Sequence, residues 1–192
     1  MKNNLKKLVL ATLLASTPML AESNPYKFDT YSLMGIEGGY STFDIENNDN
    51  PPVRKSPNFG YGAVKIGAQT QSYRMFISAR QFSIKGFDYA KSYGLELQYL
   101  FDFSKYADLY LGVNTGKISM RFIDANNQTR STRDTYFGGD IGLNVHAGES
   151  VDLEFGLKTM NLSASDTQAG ITYTFDNITS AYMSIIFKYQ MD

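Results

Sequence analysis

Several residue types are absent or rare in this sequence of 192 residues. There is no Cys, which excludes disulfide bonds, thiolate metal sites and cysteine nucleophiles. A single His excludes a metal site built from several His side chains, and it leaves only one possible base for a Ser-His-Asp arrangement. The formal net charge of −1 lacks the basic excess of nucleic-acid-binding proteins, so no nucleic-acid partner is expected.

Long apolar runs are also missing beyond the N-terminal segment. None approaches the ~18 residues that a transmembrane helix requires. The sequence instead has 14 Tyr, 13 Phe and 16 Gly, with no Trp. Aromatic residues favour strands and Gly favours turns, so this composition predicts many strands connected by turns.

The N-terminal residues 1–21 predict a secretory signal peptide. Three lysines precede the apolar segment 8–15, which is too short to span a bilayer, and Ala21 is a small residue at the expected cleavage point. Cleavage there leaves residues 22–192 as one domain. The chain is therefore expected to leave the cytoplasm.

Apolar and polar residues alternate along most of this domain. In residues 92–101, one face carries Tyr93, Leu95, Leu97, Tyr99 and Phe101. A helix would place Glu96 among these apolar side chains, so the period of two predicts a strand. The same argument predicts eight strands, at 31–43, 58–69, 73–83, 90–101, 107–122, 133–147, 150–161 and 180–190.

The alternation changes phase in the fifth predicted strand. Before Gly116 the apolar residues occupy odd positions, and after it they are Ile118, Met120 and Phe122. A β-bulge at Gly116 would produce this change. The end of a membrane-embedded segment would produce it as well.

The predicted connections alternate between short and long. Those at 70–72, 102–106 and 147–148 are short, whereas those at 44–56, 123–132 and 162–179 are long and rich in Asn, Asp, Ser and Thr. Only the connection at 84–88 is short where a long one is expected. Short connections at one end and long ones at the other are typical of outer-membrane barrels.

Alternation alone does not show which face points inward. A soluble periplasmic barrel or sandwich points its apolar face inward, whereas a membrane barrel points it at lipid. The signal peptide and the loop asymmetry favour lipid. So do the aromatic residues near the ends of the apolar face, namely Tyr40, Tyr73, Tyr93, Phe101 and Tyr189. We therefore predict an all-β fold, an eight-stranded antiparallel up-and-down transmembrane β-barrel, with the soluble barrel as the alternative.

Residues 27–192 resemble the small eight-stranded outer-membrane barrels, the group of the OmpA transmembrane domain, OmpX and the opacity proteins. The resemblance rests on strand number and chain length, and it implies the outer membrane of a Gram-negative bacterium, with membrane lipid and lipopolysaccharide as partners. In that family the last strand alternates aromatic and apolar residues and usually ends in Phe, a signal for the outer-membrane assembly machinery. Phe187 and Tyr189 match the alternation, but Met191 and Asp192 follow them.

With the apolar face outward, ten charged residues of the strands point into the barrel. The acids are Glu37, Glu96, Asp140, Asp152 and Glu154, and the bases are Lys65, Arg74, Arg80, Lys158 and Lys188. The interior of an eight-stranded barrel is just wide enough for side chains to fill, and an unpaired buried charge is costly. Balanced signs therefore predict a structural network that plugs the lumen, with Glu37–Lys65 and Arg80–Glu96 as expected pairs. The alternative is that these residues are simply solvated.

Signals for catalysis or cofactor binding are weak. His146, the single His, has no Ser two residues further on, and Asp152 is its expected neighbour across the turn at 147–149. We interpret His146 as a structural member of the interior network. The acidic segment 44–50 lacks the Gly and the final Glu of a calcium-binding EF-hand loop. No enzyme activity, metal or cofactor is expected.

Three functions from different classes remain. The first is a non-enzymatic outer-membrane barrel that supports the envelope and interacts with an extracellular ligand through its long loops. The second is a small channel for ions and small solutes, and the third is an outer-membrane lipid-modifying enzyme. The sequence favours the first, because balanced interior charges predict a closed lumen.

Overall fold

The structure, a computed structural model, describes residues 30–47, 53–123, 128–168 and 171–190. The predicted signal peptide lies outside the described residues. No helix among the described residues is long and apolar enough to cross a membrane.

Nearly all of the described chain is β-strand. The strands are β1 Thr30–Asn47, β2 Val53–Lys55, β3 Asn58–Thr70, β4 Tyr73–Ser83, β5 Phe87–Ser104, β6 Ala107–Ile123, β7 Thr129–His146, β8 Val151–Gln168 and β9 Ile171–Gln190. Each long strand pairs antiparallel with its neighbours in sequence, and β1 also pairs with β9. Eight strands thus close a ring, and the short strand β2 pairs with the C-terminal residues of β1, from Ile45 to Asn47. The predicted eight-stranded up-and-down barrel is confirmed.

The two ends of the barrel differ. The end that holds Thr30 and Gln190, called the terminal end below, has the short turns β3–β4, β5–β6 and β7–β8. The opposite end, called the hairpin end, has the connections β1–β3, β4–β5, β6–β7 and β8–β9. Gly86 closes the β4–β5 turn with a φ of 87°, a conformation that side chains disfavour.

The strands extend further toward the hairpin end than the sequence predicts. The predicted loop 162–179 is wrong, because β8 continues to Gln168 and β9 begins at Ile171. Parts of the predicted loops 44–56 and 123–132 are also strand, while residues 48–52 and 124–127 lie outside the described residues. Polar outward residues such as Ser163 and Ser165 suggested a loop. Such residues also occur on the exposed face of a strand that is surrounded by water.

Gly116 holds no bulge. It pairs in register with Gly94 and with Tyr136, and both Asn114 and Ile118, two residues to either side, are buried inside the barrel. The register shifts of β5 and β6 lie elsewhere, between Phe87 and Tyr89 and between Asp102 and Ser104. The bulge hypothesis is therefore wrong. What changes at Gly116 is the composition of the inner face, from polar to apolar.

The outer wall carries a continuous apolar belt. Large apolar side chains at outward positions include Met34, Ile36, Val64, Ile66, Met75, Ile77, Leu95, Leu97, Leu109, Leu111, Ile141, Leu157 and Ile185, all exposed. The five aromatic residues expected near the ends of this face, from Tyr40 to Tyr189, are also exposed. In a soluble barrel these residues would form the core, so the soluble alternative is wrong.

One seam of the ring differs from the others. β7 and β8 pair in register from the terminal end up to Phe137 and Asn161, but β7 residues 129–136 have no ladder partner in β8 among the described residues. Hydrogen bonds with side chains connect the two strands at the last ladder pair and beyond it. Asn161 Nδ2 donates to the Phe137 carbonyl at 3.0 Å, and the Ser163 backbone N–H donates to Asp134 Oδ2 at 2.7 Å.

The belt generates a test of the face assignment. Leu97 lies at the middle of the outward row of β5, so Leu97→Arg places a charge near the bilayer midplane and should cost roughly 2–4 kcal/mol of folding stability in lipid. Ser165→Arg, outward but beyond the belt, should cost about 0–1 kcal/mol. Urea titrations of folding into lipid vesicles would measure both. Equal stability of the two variants would contradict the assignment.

Candidate functional site

A cluster of buried charges fills the middle of the lumen. Its centre is Glu37 on β1. One carboxylate oxygen lies 3.3 Å from Lys65 Nζ, and Lys158 Nζ lies 3.2 Å from both oxygens. Arg80 Nε donates to Glu37 at 3.4 Å, and the Tyr61 hydroxyl donates at 2.9 Å. One carboxylate thus joins bases from three other strands.

Two further carboxylates complete this central cluster. Glu96 on β5 accepts from Arg80 and lies 3.1 Å from Lys158 Nζ. Glu154 on β8 lies 2.5 Å from Lys65 Nζ. The central cluster therefore consists of Glu37, Glu96 and Glu154 with Lys65, Arg80 and Lys158. Acids and bases are equal in number, and every side chain in it is at most 1% exposed.

A second cluster lies toward the terminal end around Asp152 on β8. Lys188 Nζ lies 2.7 Å from one carboxylate oxygen, and Arg74 Nη2 lies 3.1 Å from the other. His146 Nδ1 lies 2.9 Å from Asp152, and Asn144 Nδ2 donates to it at 3.2 Å. Arg74, His146, Asp152 and Lys188, with Asn144, form what we call the terminal cluster. Arg74 also lies 3.5 Å from Glu154, which connects the two clusters.

Asp140 differs from the other predicted interior acids. It is buried on β7, but no cation lies within salt-bridge distance of it among the described residues. Amide groups hold it instead, since Gln98 Nε2 donates to it at 2.8 Å and Asn114 Nδ2 at 3.5 Å. A buried carboxylate can be stabilised by hydrogen bonds as well as by a counter-ion.

Sequence analysis missed several interior residues. Asp108 lies 3.2 Å from His146 Nε2, and the hydroxyls of Tyr110 and Tyr182 lie 2.7 Å apart. The alternation would have identified all three, because they occupy inward positions of predicted strands. Arg130, buried on β7, was missed because it falls in a predicted loop. Asp108 and Arg130 add one acid and one base to the buried charges.

The hairpin end of the lumen is filled by apolar side chains, which the sequence did not predict. Phe43 stacks on Phe175 with ring centroids 5.4 Å apart and meets Phe59 at 6.3 Å. Phe59 contacts Phe82 at 5.9 Å, and Phe122 contacts Phe175 at 5.5 Å. All five rings are buried. We call these five residues the apolar cap.

Tyr136 connects the central cluster to the region of the apolar cap. Its hydroxyl lies 3.4 Å from Arg80 Nη1. A Cβ atom on Gly94 would lie 2.2 Å from that hydroxyl, and one on Gly116 would lie 2.6 Å from it. The two glycines therefore provide the space that the ring of Tyr136 occupies. Larger residues at these positions would displace Tyr136.

The interior offers no arrangement for catalysis among the described residues. Both ring nitrogens of His146 face carboxylate oxygens, of Asp108 and Asp152, and no hydroxyl contacts the ring. No group of three or more His, Asp or Glu suited to a metal ion occurs in the described part of the chain. What the geometry does support chemically is mutual neutralisation of buried charges.

No protein-family model matches this sequence, and a comparison with curated proteins also finds no match. Solved structures do resemble it. Neisserial surface protein A has a TM-score of 0.62 and 12% identity, and the match covers 81% of this chain and 97% of that one. The outer membrane protein OprG from Pseudomonas aeruginosa has a TM-score of 0.54 and 11% identity, covering 85% and 98%. Ail, the attachment invasion locus protein of Yersinia pestis, in complex with the heparin analogue sucrose octasulfate, has a TM-score of 0.50 and 13% identity, covering 82% and 99%.

These likenesses establish the fold. The chain has the architecture of the small eight-stranded outer-membrane barrels, so the resemblance inferred from the sequence is confirmed at that level. At these identities no activity or ligand transfers from the known proteins.

The central cluster generates a stability prediction. Glu37→Gln removes the charge that Lys65, Lys158 and Arg80 share, and breaking such a fully buried pair typically costs about 3–5 kcal/mol. Glu149→Gln makes the same chemical change at an exposed turn residue and should leave stability unchanged. A thermal gel-shift series in detergent would compare them. Identical melting of Glu37→Gln and the parent protein would show that the pairing is not stabilising.

Proposed function

We propose that the protein is a non-enzymatic β-barrel of the outer membrane of a Gram-negative bacterium, with a plugged lumen, that contributes to envelope integrity. The observation that carries this proposal is the filled interior. The terminal cluster, the central cluster and the apolar cap follow one another along the barrel axis. A protein built in this way resists deformation. Its sides face lipid, and its hairpins project at one end.

The outer surface supports the membrane location. The exposed apolar belt would be unfavourable in water, whereas in a bilayer it is matched to the hydrocarbon. In outer-membrane barrels the short turns face the periplasm, so the terminal end is assigned to the periplasm and the hairpin end to the exterior. Outer-membrane lipid and lipopolysaccharide are then its immediate partners.

The last strand supports assembly by the outer-membrane machinery. Phe187 and Tyr189 on β9 are exposed at outward positions, and the same strand closes the ring by pairing with β1 from Tyr31 to Asn47. Closure therefore depends on the strand that carries the proposed signal. Met191 and Asp192, which depart from the family pattern, lie outside the described residues.

Ligand binding at the hairpin end is a second candidate function. β8 and β9 form a long antiparallel hairpin, and the outward positions of β8 beyond the belt are polar, including Ser163, Ser165 and Thr167. Ail, a protein of similar fold, was solved with a heparin analogue bound. A projecting polar hairpin is a suitable site for an extracellular ligand, and it adds to the proposed function without replacing it.

The channel and the enzyme are less well supported. A water-filled path would have to pass the central cluster, whose side chains are at most 1% exposed, and then the buried rings of the apolar cap. A lipid-modifying enzyme would need reactive groups facing the outer leaflet. His146 instead lies at the opposite end of β7, beside the β7–β8 turn.

The location is tested by fractionation together with heat-modifiable migration. We expect the protein in the outer-membrane fraction, with a faster gel mobility before boiling than after, because a closed barrel resists detergent. Mass spectrometry of that material should show removal of residues 1–21. A soluble periplasmic species whose mobility does not depend on heating would contradict the proposal.

The plug is tested by recordings in planar bilayers. The parent protein should show no steady conductance, because the charges of the lumen are paired and the cap is apolar. Glu37→Gln should admit transient ion passage, since its former partners are freed to move, whereas Glu149→Gln should behave like the parent. Steady conductance of the parent would contradict the plugged lumen and would support the channel function instead.

A further inference from the structure

The outward-facing cations of the barrel strands lie together. In the described residues they are Lys91 on β5, Lys117 and Arg121 on β6, and Arg133 on β7, all exposed. We call these four residues the basic patch. They occupy three adjacent strands of the eight that form the ring.

The register brings the four side chains within reach of one ligand. Lys91 and Arg133 flank Ser119 in one cross-strand row, and Lys117 lies in the next row. Side chains in such diagonal positions have Cβ atoms roughly 7–8 Å apart, a distance that long side chains can span. Between them lies a groove of about 500 Å³, lined by Lys91, Tyr93, Lys117 and Arg133 among others.

Among the described residues, no salt bridge joins any of the four members of the basic patch to an acid. Asp134 lines the same groove, but its carboxylate accepts the backbone N–H groups of Thr135 and Ser163, both at 2.7 Å. Lys91 and Arg121 lie over the ring of Tyr89, each 5.2 Å from its centroid. The cations are thus held in place while their charge stays available.

The position of the basic patch along the barrel axis indicates which layer of the membrane surrounds it. The adjacent outward row toward the terminal end holds Leu95 and Phe137, which belong to the apolar belt. Tyr93, exposed in the row of Lys117, has the amphipathic ring typical of the interface between hydrocarbon and headgroups. The patch therefore lies at headgroup level on the hairpin end, the end assigned to the exterior.

Exposed acids lie across the barrel from the basic patch. β6 and β1 face each other across the ring of eight strands. The acids include Asp44 on β1 and Asp176 on β9, both toward the hairpin end.

We propose that the basic patch binds the phosphate groups of lipopolysaccharide in the outer leaflet. This rests on the proposed outer-membrane location. Lys and Arg recognise phosphate by charge and by hydrogen bonds. Three cations around one groove, with Arg121 on the adjacent row, suit a headgroup that carries more than one phosphate. The apolar row beside them accepts the acyl chains of the same molecule.

The experiment measures binding of fluorescent lipopolysaccharide to the purified full chain reconstituted in neutral lipid nanodiscs. Lys91→Gln with Lys117→Gln should weaken binding by roughly 30-fold, given the usual contribution of each cation at an anionic membrane surface. Lys85→Gln with Lys105→Gln removes two exposed lysines outside the patch and should leave binding within about twofold. Equal weakening in both double variants would overturn the proposal.

Three further arms identify the ligand. Dephosphorylated lipopolysaccharide should bind the parent as weakly as intact lipopolysaccharide binds the patch variant. Competition by phosphatidylglycerol nanodiscs as strong as that by lipopolysaccharide would overturn the assignment, in favour of a general anionic surface. Full displacement by excess inorganic phosphate would likewise overturn it, in favour of a site for free phosphate.

The same samples distinguish the inference from the function on which it rests. Heat-modifiable migration of the reconstituted parent reports whether the barrel is folded in lipid. A folded barrel that does not discriminate lipopolysaccharide contradicts only the inference. A chain that does not fold in lipid contradicts the proposed location as well.

Discussion

The charges at the centre of this barrel are buried and are solvated by side chains from other strands, and the rest of the structure depends on this constraint. Hydrogen-bond ladders connect each strand only to its two neighbours. The carboxylate of Glu37 on β1 contacts bases on β3, β4 and β8, and Glu96 on β5 contacts Lys158 across the lumen. Ion pairs therefore brace strands that the ladder does not connect. The equal number of acids and bases in the central cluster follows from the same constraint, because an excess charge there would be buried without a partner.

The polarity of the inner and outer faces is reversed between the two ends of the barrel. In the belt region the outer face is apolar and the inner face is charged. Toward the hairpin end the outer face becomes polar, and the inner face carries the apolar cap, as in a soluble barrel. Strand parity does not change between Asn114 and Ile118, so only the residue types switch. One continuous sheet thus suits lipid along one part of its length and water along the other.

The sequence was sufficient to predict the ring, the outward face and the inward position of the central cluster. Its period of two identifies these positions because a one-residue error would place Glu96 in lipid. The hairpin extensions were not predictable in the same way. There the outward residues are polar, so Ser163 and Ser165 resemble loop residues, and Phe175 falls in the same predicted loop. Asp140 shows a different limit, since its position follows from alternation but its amide partners depend on the relative rotation of β5, β6 and β7.

Because of the β7–β8 seam, the two ends of the ring differ in mechanical strength. At the terminal end neighbouring strands, including β7 and β8, are joined by backbone hydrogen bonds, so the ring there resists widening evenly. Toward the hairpin end this one junction has no backbone ladder beyond the Phe137–Asn161 pair among the described residues, and side-chain contacts such as the hydrogen bond from the Ser163 N–H to Asp134 connect the two strands there. A ring under tension yields first at its weakest joint. Crowding or lateral pressure on the exposed hairpins is therefore taken up as shear between β7 and β8, and the charged layers near the periplasmic turns keep their circumference.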